Sequence, residues 1–317
     1  MKRASPVTVG AGTSAGTATY PTRGRRTRFT ARLSPYLYLV PMVVLVGAFL
    51  LYPAAATIWY SFTDWNGLNA PSFVGLLNYT NLFADPAFQT SFTNTIIWVI
   101  GVLVLQVSLG LLLAILLNNV IGGEFFKAVF YLPAALSGAA TGIIWYFIFD
   151  PEQGVINTTL RFLHLGGLAQ DWLTTPPLNT YAMIVAATWL GMGPNMMLFL
   201  VGLQNIPRDP IEAATIEGIT PIKMFWHITL PLLRPMLTVV VAIALINSFK
   251  VFDIIWAMTQ GGPYRSSETL AVTMYRESFV SFHIAYGAAI AVVLTLIVTA
   301  VSIVYVRTMF RRDVEVY

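Results

Sequence analysis

"RDPIEAATIEGITPIKMFWHITLPLLRP", from Arg208 to Pro235, sets the architecture of this chain. It places charged side chains at Arg208, Asp209, Glu212, Glu217, Lys223 and Arg234 between two strongly apolar runs, Asn179–Val201 and Pro235–Ile255. Asp209 ahead of Pro210, with Glu212 at the third helical position, spells a capping box whose proline sits where its missing N–H costs nothing. Gly218 supplies the left-handed residue that closes a helix C-terminus. Thr220 and Pro221 then start a second helix through Lys223, Phe225, Trp226 and Ile228, which Leu230-Pro231 stops at the membrane. Ala213 and Ala214 leave one face with little bulk. The stretch therefore reads as a rigid elbow, residues 208–231, shaped to dock against another surface.

Composition explains why an elbow is needed. The 317 residues are 56% hydrophobic and only 10% charged, with a mean hydropathy of +0.70. A soluble domain carries about 25% charged residues, so the chain is a membrane protein by composition. It contains no cysteine, which excludes a disulfide framework and a thiolate metal site. His164, His227 and His283 lack ligand spacing, so no metal is expected. No cofactor is expected either.

A hydrocarbon core about 30 Å thick takes roughly 20 apolar residues per helix. Five uncharged runs reach that length, Tyr36–Tyr60, Thr93–Leu117, Ala128–Phe149, Asn179–Val201 and Ile284–Val306. Pro235–Ile255 makes a sixth, although it holds Lys250 and Asp253. Six spans put both termini on one side. With the N-terminus inside, the inner segments collect fourteen of the eighteen Lys and Arg residues, and the outer ones only Arg161, Arg265 and Arg276. That bias makes both termini cytoplasmic, and it assigns the net charge of +4 to topology rather than to nucleic acid. Residues 1–33 read as a disordered basic tail, 34–312 as the membrane domain and 313–317 as a short cytoplasmic end. The "GTSAG" at Gly12–Gly16 has the G-x-S-x-G form of a nucleophile elbow, but it lies in low-complexity tail and is read as chance. The sequons at Asn78 and Asn157 are read the same way. "GAATG", Gly138–Gly142, is a small-xxx-small face suited to a helix contact.

The elbow resembles the EAA loop of binding-protein-dependent ABC importer permeases, whose pattern is met by Glu212, Ala213, Ala214, Gly218, Ile228, Leu230 and Pro231. Glu217 and Ile219 depart from the usual residues beside the glycine without disturbing its backbone logic. The resemblance extends from about Tyr36 to Arg311 and is similar to the carbohydrate-uptake class, which contains the larger maltose permease and the glycerol-phosphate permeases. "LYPAAATIWYSFTDWNG", "DPEQGVIN" and "FKVFDIIWAMTQGGP" carry it. It implies an all-α integral membrane protein with six transmembrane helices, the type I ABC importer permease fold and a cytoplasmic EAA coupling helix. It also implies an import subunit in the bacterial cell membrane rather than an enzyme. Its partners would be a second homologous permease subunit, two ATP-binding cassette subunits, an extracytoplasmic solute-binding protein and a carbohydrate. The sequence has no G-x-x-x-x-G-K-[ST] phosphate loop, in keeping with ATP hydrolysis on another subunit.

Charges inside a membrane cost about 2.5–3.5 kcal/mol on insertion scales and are functional by default. Lys250 and Asp253, three apart on one helical face, either neutralise each other or meet solute. Resemblance places solute contacts around Asn247, Ser248 and Val251, and on the fourth span at Gly191, Gly193 and Asn195; the glycines serve close helix packing equally well. Phe249, Phe252 and Trp256 could stack on a sugar face or simply pack. Two other readings stand beside carbohydrate import: a permease for glycerol phosphate or polyol derivatives, and an ion-coupled secondary transporter with Lys250 and Asp253 as its relay. The second leaves the elbow without a purpose.

Overall fold

The computed structural model describes residues 38–118 and 120–314, with side chains as far as Met309. The basic tail of residues 1–33 and its "GTSAG" lie outside the described residues, as do residues 315–317. The chain divides into two units, Met1–Ala54 and Ala55–Tyr317. Of the first, the described part belongs to helix α1 (Tyr38–Tyr60).

The second unit runs α2 (Leu77–Ala84), α3 (Pro86–Leu117), α4 (Gly123–Tyr131), α5 (Gly138–Ile148), α6 (Val155–Phe162) and α7 (Leu178–Gln204). After the elbow helices α8 (Arg208–Ile216) and α9 (Pro221–Leu232) come α10 (Arg234–Phe249), α11 (Asp253–Thr259), α12 (Leu270–Tyr275) and α13 (Ile284–Val314). Among the described residues the only β pairing is an isolated bridge between Thr63 and Phe73. Four helices, α1, α3, α7 and α13, are long and apolar enough to cross a membrane, and two bent pairs raise the number to six if each counts as one crossing.

Those bends correct two of the expected runs. Ala128–Phe149 is not one helix: α4 tightens into a 3-10 turn at Leu132–Ala135, and α5 leaves it at 103°. Pro133 cannot donate to the ladder, Leu136 is extended, and the Ser137 hydroxyl accepts from Ala140 N–H at 3.1 Å, so a fresh helix starts there. Pro235–Ile255 likewise breaks after Phe249, and α11 resumes at Asp253.

Two glycine contacts set the packing. α3 and α7 run in parallel with Gly101 against Ile184 and Gly110 against Asn195; a Cβ on Gly110 would lie 2.7 Å from that of Asn195. Trp98, Met183 and Ile255 fill the core between these helices and α11, while Met196, Phe199, Leu233 and Val240 fill the opposite end against α10. α5 packs along α11 through the expected small-residue face. A Cβ on Gly142 would stand 2.7 Å from the Ala257 Cβ and 3.1 Å from the Ile254 carbonyl oxygen, which is backbone and cannot rotate away. Gly142→Val should therefore splay α5 from α11 and cost about 1–3 kcal/mol. Thermal unfolding of the detergent-purified protein reads this as a lowered Tm, and an unchanged Tm would show that the contact is loose.

Buried backbone polar groups need partners, and the connections that follow α1, α5 and α11 obey that rule. Asn94 Nδ2 donates to the Ser266 and Glu268 carbonyls at 2.7 and 3.0 Å, and Asn179 Nδ2 donates to the Gly262 carbonyl at 3.1 Å. Both sequon asparagines are consumed in the same way. Asn157 is 1% exposed and donates to the Pro151 and Gln170 carbonyls, and Asn78 donates to those of Ser61 and Thr63.

Candidate functional site

The elbow forms, with a different start from the one its sequence suggests. α8 begins at Arg208 behind an extended Pro207, and no side chain caps it. Asp209 and Glu212 therefore do not build the expected capping box. Pro207 holds the chain extended one residue earlier (φ −56°, ψ 142°), which starts the helix ahead of Asp209 and leaves that carboxylate in the first turn. Pro210 still costs nothing there, because first-turn N–H groups have no intrahelical partner.

The exit is as read. Gly218 has φ +73°, the Ile219 N–H donates to the Ala214 carbonyl at 3.0 Å and the Gly218 N–H to that of Thr215 at 3.1 Å. That is a Schellman closure. Thr220, extended, precedes Pro221 at the start of α9. Leu230-Pro231 does not stop α9. The helix widens at Phe225–Thr229, where the Leu230 N–H donates to the Phe225 carbonyl, and it continues to Leu232 before bending 72° into α10. The widened turn moves a carbonyl out of the path of the Pro231 ring, so the proline is accommodated without a break. α1 uses the same device, with Gly47–Leu51 widened ahead of Pro53.

The two motif alanines differ. Ala214 is buried at 3% exposure, in the helix that packs on the widened turn, whereas Glu212 and Ala213 face outward. Around them stand exposed apolar side chains, Ile216 (87%), Ile222 (74%) and Trp226 (59%). A charged segment ending in large exposed apolar groups is the composition of a docking surface.

In the membrane part the candidate residues separate into two cavities on either side of the break at Lys250–Phe252. Gly191, Asn247 and Ser248 come together with Val251 in a cavity of about 210 Å³ between α3, α7 and α10. Trp98 and Gln106, which sequence reading missed, complete its walls. Lys250 and Phe252 line a second cavity of about 490 Å³ with Tyr275 of α12 and Thr295 and Thr299 of α13. Phe252 stacks on Trp256 with centroids 5.5 Å apart and an interplanar angle of 20°. Phe249 turns into the core instead.

Lys250 and Asp253 do not form an ion pair, and they do not share a helical face. Lys250 caps α10 with φ −99°, ψ 9°, and Asp253 opens α11 behind Phe252 at φ −138°, ψ −55°. Asp253 instead lies against Gly138, the first residue of α5, where a Cβ would be 3.3 Å from Oδ2. The carboxylate thus stands at the paired starts of two parallel half-helices, whose positive ends favour it. Asn195 lines neither cavity: it is 4% exposed, packed on Gly110, and its Nδ2 has no hydrogen-bond partner among the described residues. Gly193 serves packing, with the Tyr131 Cα 2.9 Å from where its Cβ would be.

Comparison with known proteins identifies the family. Residues 106–315, which hold the elbow and most of both cavity walls, match the family described as the binding-protein-dependent transport system inner membrane component. A probable ABC transporter permease protein of Pyrococcus horikoshii is 38% identical, over 86% of this chain and 94% of its own length. A probable permease protein of a starch degradation products transport system in Thermoanaerobacterium thermosulfurigenes is 33% identical, over 88% of this chain and 95% of its own. A crystal structure of a bacterial ABC transporter involved in alginate import superposes with a TM-score of 0.80 at 21% identity, over 91% of this chain and 99% of that one, and so shares the type I importer fold. The family match and the two relatives together show that this chain belongs to the binding-protein-dependent transport system inner membrane component family.

Proposed function

We propose that the chain is the transmembrane subunit of an ATP-driven importer that moves a carbohydrate into the cytoplasm. The observation that carries this is the elbow, a Schellman-closed pair of short helices with a small-residue, apolar outer face. On this reading Glu212, Ala213 and Gly218 shape the surface that enters a cleft of an ATP-binding cassette subunit. Ala214, Ile228, Leu230 and Pro231 fix its attachment to α10. Two such ATPase subunits, a second homologous permease and an extracytoplasmic solute-binding protein complete the assembly. The Lys and Arg bias puts both termini and the elbow in the cytoplasm, with residues 34–312 as the membrane domain. The chain itself is a transport component and not an enzyme.

The solute path runs past Gly191, Asn247 and Ser248, with Lys250 and Phe252 lining a neighbouring cavity. Asp253 and Asn195 contribute by holding helices in place. The carbohydrate reading is supported by the relative named for starch degradation products and by amide, hydroxyl and indole groups gathered in one cavity. In proteoliposomes holding the full complex, uptake should require ATP on the elbow side and continue with no proton or sodium gradient. Uptake driven by an imposed gradient without ATP would overturn the reading.

A further inference from the structure

We infer that Gln106 is a solute-selecting residue of the smaller cavity, and that this cavity is built for a neutral, polyhydroxylated solute rather than an anionic one; the inference rests on the solute path proposed above. Gln106 lies in the middle of α3, within a long uncharged run. Its carboxamide reaches across to α7 and lies directly over Gly191. A Cβ at residue 191 would be 2.7 Å from Gln106 Oε1 and nearer still to Nε2 and Cδ, so the amide occupies the space that glycine leaves open. The half-buried carboxamide has no hydrogen-bond partner among the described residues, and the exposed side chain of Asn247, likewise without one, lines the same cavity. A polar group in a membrane protein's interior normally finds a partner. The half-buried Gln106 amide has none, and it faces a cavity that the open Asn247 amide also lines, so both are available to something that passes.

Their chemistry specifies what that is. A carboxamide offers two N–H donors and a carbonyl acceptor, the complement of a hydroxyl, which donates and accepts. Ser248 donates to the Ala244 carbonyl at 2.6 Å and keeps its lone pairs for an incoming donor. Trp98 and Val251 supply flat apolar wall, as the carbon face of a sugar ring needs. No cationic side chain lines this cavity; Lys250 opens onto the other one. A carboxylate or phosphate entering here would lose its water and gain no counter-charge, whereas a hydroxylated ring exchanges water for amide contacts.

The chain has no cysteine, so single-cysteine variants need no background removal. In the membrane-embedded complex, a small water-soluble methanethiosulfonate should modify Gln106→Cys and Asn247→Cys at least tenfold faster than Val104→Cys, because a thiol reacts as thiolate and thiolate needs water. Val104 is 57% exposed on another flank of the same helix. Labelling of Asn247→Cys but not of Gln106→Cys overturns the inference and leaves the path reading intact; labelling of neither overturns the path reading. With the complete importer and its binding protein, offered a panel of neutral oligosaccharides and of sugar phosphates, Gln106→Leu should raise the KM for the transported neutral sugar at least tenfold. Gln106→Asn should recover most of that loss, at equal membrane levels. Import of sugar phosphates alone, or equal KM in Gln106→Leu and the wild type, overturns the assignment. Where Gln106→Cys fails to accumulate, the Gln106→Asn and Gln106→Leu kinetics decide by themselves.

Discussion

Gly218→Val should abolish binding-protein-stimulated ATP hydrolysis and uptake, each at least tenfold, while the protein still accumulates in the membrane. The residue sits at φ +73° with nothing within 4 Å of where its Cβ would be, so the substitution meets no neighbour and its cost is wholly in the backbone. A left-handed conformation costs an ordinary L-residue roughly 1–2 kcal/mol, and a β-branched one is a genuine outlier. The chain escapes by leaving that conformation, and then the bonds from Ile219 N–H to the Ala214 carbonyl and from Gly218 N–H to the Thr215 carbonyl cannot both survive. α9 swings, and Ile222 and Trp226 move relative to Ala213 and Ile216. The membrane helices are elsewhere and should insert normally. Gly218→Asn should keep most of the activity, since asparagine tolerates the left-handed region. Normal transport by Gly218→Val at equal expression would show that elbow geometry does not couple ATP hydrolysis to movement. If the Gly218→Val protein is degraded, cross-linking from Ala213→Cys to the ATPase decides instead, with Gln153→Cys on the connection between α5 and α6 as the control. Asn157 is unsuitable for that control because it is buried.

The elbow was legible because its information is local. A left-handed glycine, a proline one residue into a helix and two alanines act within a turn or two of themselves, so spacing alone determines them. The start of α8 was misplaced because Asp209 and Pro207 both offer a beginning, and the fixed φ of proline prevailed. Apolar run length found every candidate crossing among the described residues but could not see the breaks within two of them, since hydropathy measures composition and not ladder continuity. "LPAALSG", residues 132–138, carried that signal: a proline, then Ser-Gly, the form of a stop followed by a start. Lys250 and Asp253 pair only on a helix that continues between them, and this one breaks. Gln106 was invisible for a different reason. A mid-helix amide in a 25-residue apolar run, Thr93–Leu117, is weak evidence, and its meaning depends on Gly191 from another helix. Burial of loop charges is equally non-local, and the connection between α11 and α12 shows how much can hang on it.

Glu268→Ala should be the most destabilising single change in that connection. Glu268 is fully buried. One of its oxygens accepts from Arg265 Nε at 2.9 Å and Thr273 Oγ1 at 2.8 Å, and the other from Arg276 Nε. The Arg276 guanidinium goes on to the Gln260 carbonyl, and Arg265 reaches Glu277 at 3.0 Å, which in turn meets His283 at 3.0 Å. Burial works against the charged guanidinium of Arg265, yet Glu268 and Glu277 outweigh it and hold its pKa above the ordinary value. Removing Glu268 leaves two guanidiniums with their common anion gone. Breaking a buried pair from one side costs about 3–5 kcal/mol, and the lower end applies because both arginine side chains retain some water contact, at 32% and 24% exposure. The damage spreads because Asn94 of α3 and Asn179 of α7 are tied to this same connection. The Tm of the purified protein should fall by roughly 5 °C or more, as a loss near 3 kcal/mol implies for a chain of this size, and its membrane level should drop with it. Glu268→Gln, which keeps an acceptor for Thr273 but not the charge, should fall between. Gly261→Ala should reproduce part of the loss by displacing the carboxylate, since its Cβ would lie 3.3 Å from the Glu268 Cδ and closer to Cγ. An unchanged Tm in Glu268→Ala would mean that the two arginines find water as readily as they find glutamate.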